Sequence, residues 1–386
     1  MARIVVSTYM VRYPLGGTLS WALQWLIGFE QLGHDVYIVE KSGYANSCFD
    51  LSKGIMTDDC SYGVTLVSSL LKRFGLQNKW CYVDAQGQYY GIRKEDVGKI
   101  FKAADLFVDM GTHGTEMEGT WLEEASDANL RILVATEPGS TQIRMKKKLV
   151  IGEQLPQYDL YYTTGKNIGT QRSTAPTAGR EWHQIFDPIV MSLFPFQPIL
   201  YDAPFTTVMN WQSHEQLEFN GSIYGQKDAE FMKFIDLPSL THTPLELAVA
   251  GKLAPMKKLL EAKWRVQDAH EVSVSIDSYW DYLAASKGEF SVCKNVCVAM
   301  NTGWFSARSA EYLAIGRPVV IQDTGFSHHL PCGRGLFAVK NVDEAASAIE
   351  EINGNYDHHS KWARTMASEY FDSQKVLGTF LAEVGL

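Results

Sequence analysis

The chain has 386 residues, of which 46% are hydrophobic and 20% charged, a balance that belongs to a folded globular protein and excludes a disordered or low-complexity chain. Its length exceeds what one ordinary core serves, so two domains are expected. With 35 Lys and Arg against 44 Asp and Glu, the net charge of −9 offers no basic stripe to a phosphate backbone, so no nucleic-acid partner is expected; nor does any apolar run approach the roughly 20 residues of a transmembrane segment.

The chain opens with MARIVVSTYM, which reads directly as a strand at 3–7 and lacks the long apolar stretch of a secretory leader; a cytoplasmic protein is expected. A second apolar run at 35–40 follows a helix in which Ala22, Trp25, Leu26, Phe29 and Leu32 recur at helical spacing up to Gly33. This is a β-α-β unit. Its strand-to-helix loop carries Gly16, Gly17 and Thr18, where paired glycines let backbone approach a ligand; it is not GxGxxG, which argues against a dinucleotide-dependent oxidoreductase.

Further strands are predicted at 104–109, 131–135 and 158–162, each ending in a polar loop. The alternation implies a parallel, doubly wound sheet with functional loops along one edge. Those loops hold three candidates for proton transfer: Asp109, His113 and Glu137. Lys146, Lys147 and Lys148 form the only basic run and read as a solvated helix face, with an anionic ligand or lipid headgroup as the alternative. The Pro- and Phe-rich stretch 187–204 reads as a domain junction.

A second set of elements begins with a strand at 206–210, continues through the Gly221 and Gly225 loop to Lys227, an amphipathic stretch at 228–236 and a strand at 247–250. The most informative segment is GWFSARSAEYLAIGRPVVIQDTGF, residues 303–326. Ser306 is placed to cap a helix whose first amides, at Ala307 and Arg308, would face an anion, and Gly316 with Pro318 stops that helix before a buried strand at 319–321. Glu311 lies about one and a half turns in, where a carboxylate can accept from a ribose diol. Asp323, Thr324, Gly325 and Phe326 form the loop at the carboxyl end of the strand, where open α/β sheets bind ligands. Trp304 and Phe305 flank the helix start as candidate stacking platforms, and His328 and His329 follow the loop as candidate hydrogen-bonding groups for a sugar or phosphate rather than metal ligands. Helices are predicted from 342, over 356–370 and over 373–384. The six cysteines show no CxxC or Cys/His zinc spacing and read as reduced thiols.

Residues 303–326 resemble the donor-binding segment of GT-B glycosyltransferases, in the branch with a Glu eight residues after another acidic residue and a G-x-P-V-V strand. Glu311, Gly316, Pro318 and the Val319–Val320 pair match; the first acidic position falls on Gly303. The resemblance implies two Rossmann-like domains facing across a cleft: residues 1–195 for the acceptor, 204–370 for the nucleotide sugar, and 371–386 as a helix returning to the first domain. It implies transfer of a sugar from a nucleoside-diphosphate sugar, itself a substrate rather than a cofactor, to an acceptor hydroxyl on a small molecule, lipid or glycan, without a metal. Phe305, Ser306, Ala307, Arg308 and Glu311 would hold the nucleotide and diphosphate, with Lys227 or Lys294 as the basic partner, and residues 323–326 the sugar. His113, Asp109 or Glu137 would serve the acceptor. A sugar-nucleotide epimerase of the same fold and a non-catalytic nucleotide- or sugar-binding protein are the alternatives. Stereochemistry stays open because Gly303 replaces a residue by which the retaining branch is known.

Overall fold

The computed structural model describes residues 1–112, 120–213 and 215–386. The first half is built on a sheet whose strands lie in the spatial order His183–Gln184, Leu160–Thr163, Arg131–Ala135, Leu106–Asp109, Arg3–Ser7, Asp35–Lys41, Trp80–Val83, Tyr89–Gly91. All neighbours are parallel except the last pair. Apolar runs such as Arg3–Ser7 suit this position because both faces of a parallel sheet are covered: Ile4 and Val6 enter one core cluster and Val5 another.

The second half carries a six-stranded parallel sheet, in the order Arg265–Asp268, Leu245–Ala250, Phe205–Asn210, Gly288–Ser291, Val319–Gln322, Leu336–Val339. Val320 faces one of its cores, and Val319 and Ile321 the other. Six of the strands in the two sheets, Trp80–Val83, Tyr89–Gly91, His183–Gln184, Arg265–Asp268, Gly288–Ser291 and Leu336–Val339, are absent from the sequence-based expectation. None is longer than four residues, and Arg265–Asp268 is an edge strand with a single apolar residue, so no hydrophobic period marks it. The stretch expected as a strand from 158 pairs only from Leu160.

The two sheets present their carboxyl edges to each other. At the seam, the Gly16 amide donates to the Ser273 carbonyl at 2.8 Å, the Asn167 amide to the Thr302 carbonyl at 2.9 Å, and Gly165 bridges Trp304. Gly16 is required there, since a Cβ would fall 2.6 Å from the Tyr279 Cβ. The helix Ser373–Glu383 crosses back onto the first half. Its Phe380 meets Phe29 and Tyr162, Leu377 packs where Gly28 leaves room, and the Tyr162 hydroxyl donates to Glu383 at 3.0 Å.

Candidate functional site

A cavity of about 330 Å³ opens between the halves. Tyr9, Gly17, Thr18 and Trp21 line it from the first half, and Asn210, His270, Tyr279, Ala307, Arg308 and Glu311 from the second. Two helices begin on it. Gly16–Gln31 follows an extended Leu15, and Ala307–Ala314 an extended Ser306; neither N-cap side chain bonds a first-turn amide. Ser306 thus occupies the expected cap position without capping, and the positive ends of both helices meet the cavity.

Arg308 is held rigidly. It donates to Glu289 Oε1, the Val208 carbonyl and Ser291 Oγ, each at 2.7 Å, and Glu289 is fully buried. Lys227 opens the short helix Lys227–Phe231 and has no carboxylate within ion-pair distance among the described residues. Burial, and secondly the Arg308 charge, push its pKa down to about 7.

Glu311 is 1% exposed and both its oxygens are engaged. Ser20 Oγ donates to Oε1 at 2.5 Å from the first half, and the Tyr279 hydroxyl to Oε2 at 2.7 Å; Trp280 in turn donates to Ser20 at 2.7 Å. Burial raises the carboxyl to about 7 against the hydrogen bonds that lower it. Each oxygen keeps a further lone pair, and the residue lies on the cavity wall.

The acceptor-side candidates are placed differently. Asp109 is fully buried at the end of its strand, accepting from the Gly111 and Thr112 amides, the Thr112 hydroxyl and the Tyr158 hydroxyl. Its oxygens hold the loop. His113, one residue further on, lies outside the described residues. Glu137 reaches across the seam to Lys294 at 2.6 Å, so two residues assigned to different roles form one ion pair.

Residues 323–326 sit at the seam rather than on the cavity. Asp323 accepts from the Gly325 amide and the Ser327 hydroxyl, the Thr324 carbonyl accepts from the Gly303 amide, and Gly325, at φ 90, packs against Asn301 and Asn167. His329 meets Asn167 at 2.8 Å. Phe305 is corrected from stacking platform to core: it is 3% exposed and stacked on Phe371. Phe326 is fully buried against it.

Tyr9, Ser20, His270 and Tyr279 were not singled out from the sequence. His270 follows the unrecognised strand Arg265–Asp268, and recognising that strand would have placed it on the ligand edge. Tyr9 stacks on Trp21 with ring centres 5.4 Å apart, and burial raises its hydroxyl pKa. No group of three or more metal-ligating side chains occurs among the described residues.

No family model and no curated protein matches the chain. Solved structures do. An alpha-glucosyltransferase in complex with UDP and a 13-mer DNA containing an A:G mismatch matches with a TM-score of 0.59 at 10% identity, covering 100% of this chain and 99% of that one. Anabaena Alr3699/HepE in complex with UDP and glucose matches at 0.57 with 12% identity, over 100% and 99%. TarM matches at 0.56 with 10% identity, again over 100% and 99%. The chain has the GT-B fold. Its cavity therefore occupies the cleft of a GT-B molecule, between the carboxyl edges of the two sheets. Among the described residues no helix is long and apolar enough to cross a membrane.

Proposed function

We propose that the protein is a glycosyltransferase that moves a sugar from a nucleoside-diphosphate sugar to an acceptor hydroxyl in this cleft. The observation that carries the reading is the convergence of two helix starts on one cavity that also holds Arg308 and Glu311, with Lys227 near Arg308. That set fits a diphosphate with a ribose beside it. Arg308, Lys227 and the Ala307–Arg308 amides would stabilise charge developing on the leaving diphosphate, an electrostatic role that these groups fill without a metal. Two of the named GT-B structures hold UDP, one of them with glucose, which makes UDP-glucose the first donor to test.

The acceptor enters from the first half. His113 is the proposed base, with Asp109 positioning its loop through Gly111 and Thr112. The Glu137–Lys294 pair spans the two halves and would keep them in register. The DNA in the first of the named structures belongs to that protein; at a net charge of −9 no nucleic-acid acceptor is proposed here. Six free cysteines, five of them buried, fit the cytoplasm.

The test is incubation with a panel of nucleoside-diphosphate sugars, following diphosphate release with and without acceptors. Acceptor-dependent release supports the reading. Interconversion of the sugar without an acceptor would make the protein an epimerase, and binding without turnover a non-catalytic receptor.

A further inference from the structure

The segment that leaves the cavity-lining strand end at Ala250 combines exposed apolar side chains with lysines. Leu253 is 68% exposed, Met256 45% and Leu260 59%. Met256 and Leu260 stand one turn apart on the helix Met256–Glu261, and both stay exposed beside the fully buried Leu259. Around them lie Lys252, Lys257, Lys258 and Lys263, with Glu261 the one acidic residue of the stretch, 3.8 Å from Lys257. Lys252, Lys258 and Lys263 have no carboxylate partner among the described residues. This basic, apolar face belongs to a chain that is acidic overall.

Its position is specific. Ala250 and Asn210 line the cleft cavity, and Gly251 backs onto Asn210 and Trp211. Across the mouth, Phe49 meets the His270 ring at 5.5 Å, and its cross-strand partner Met56 is 41% exposed. The other apolar run, Leu149 to Ile151, lies elsewhere. It follows a helix, Ser140–Val150, whose start touches the seam through Gly139, so the run sits about 16 Å away along the helix. Lys148 beside it is paired with Glu153.

We propose that the face formed by Leu253, Met256, Leu260 and the four lysines docks on an anionic lipid surface, setting the mouth of the cleft at the headgroup layer. A lipid surface accommodates both parts of the face: apolar side chains enter the acyl boundary while ammonium groups stay among anionic headgroups. A second copy of the chain fits poorly, because a two-fold contact would set these lysines against their own equivalents.

Full-length protein is sedimented with vesicles of phosphatidylcholine alone and with about 30% phosphatidylglycerol, at low and high salt. The protein should pellet with the anionic vesicles, not with the neutral ones, and be released by salt. Changing Lys252, Lys258 and Lys263 together to Gln should lower partitioning on the order of a hundredfold, at about fivefold per lysine. The variant Leu253→Ser, Met256→Ser, Leu260→Ser should also lose binding, with melting temperature unchanged because all three are exposed; Lys146→Gln with Lys147→Gln should bind as the parent does. Three results would overturn the proposal. One is no pelleting with anionic vesicles at low salt. Another is binding that survives in both face variants or is lost on the Lys146 and Lys147 changes instead. The third is a dimer in lipid-free solution that the Leu253 triple variant dissociates, which would assign the face to a second copy.

Discussion

Ser20, on the first helix of one half, donates its hydroxyl to Glu311 of the other half at 2.5 Å, so the carboxylate read as a ribose ligand is also a link across the cleft. The two roles separate experimentally. If Glu311 binds the ribose, Glu311→Ala should weaken nucleoside diphosphate binding tenfold to a hundredfold, the equivalent of roughly 1.5–3 kcal/mol for a hydrogen bond to a charged acceptor. Ser20→Ala frees one lone pair of Oε1 and should leave that affinity equal or improved. Calorimetric titration of both variants decides, and equal weakening in both would reduce Glu311 to a structural link.

The pH dependence of stability follows from the same carboxyl. Folding raises it to about 7 from an ordinary value of 4.5, so between those values the unfolded chain has lost a proton that the folded chain keeps. Stability therefore falls as pH rises from about 5 to 7, by on the order of 3 kcal/mol. Asp187, accepting from the Trp21 and Trp25 indoles and raised by burial to about 6, acts in the same direction. Urea unfolding of Glu311→Gln at pH 5 and pH 8 should show a smaller difference than the parent. An unchanged difference would mean that the carboxyl titrates normally.

Lys227 carries the opposite linkage. With its pKa pushed down to about 7, it is largely neutral at pH 8, and a bound diphosphate would restore the ammonium. Nucleoside diphosphate binding at pH 8 should take up a proton, visible as a buffer-dependent enthalpy, and affinity should fall as pH rises above about 7. Lys227→Met should abolish the uptake. Uptake that persists in this variant would assign the proton to another group.

For the acceptor side, His113→Ala should lower turnover about 10²–10⁴-fold and leave diphosphate affinity intact, because base and nucleotide belong to opposite halves. Asp109→Asn should lower turnover less, since the loop keeps part of its hydrogen bonding. A normal rate in the His113 variant would move the assignment to Glu137.

Local pattern alone determined the doubly wound class, the cap position of Ser306, the Gly316–Pro318 stop, the strand at Val319 and the last helix. Each is encoded within a few turns of chain, by hydrophobic period and by residues with restricted backbone choices. Tertiary structure decided what faces the cavity. Phe305 reads as a platform beside an anion site, yet Phe326 and Phe371 bury it. Glu137 and Lys294 are 157 positions apart and meet as an ion pair; Ser20 and Glu311 are 291 apart and share a hydrogen bond. Such contacts depend on how the two sheets abut. No hydrophobic period or capping signal carries that information, because the energy of each contact is realised only once both halves are in place.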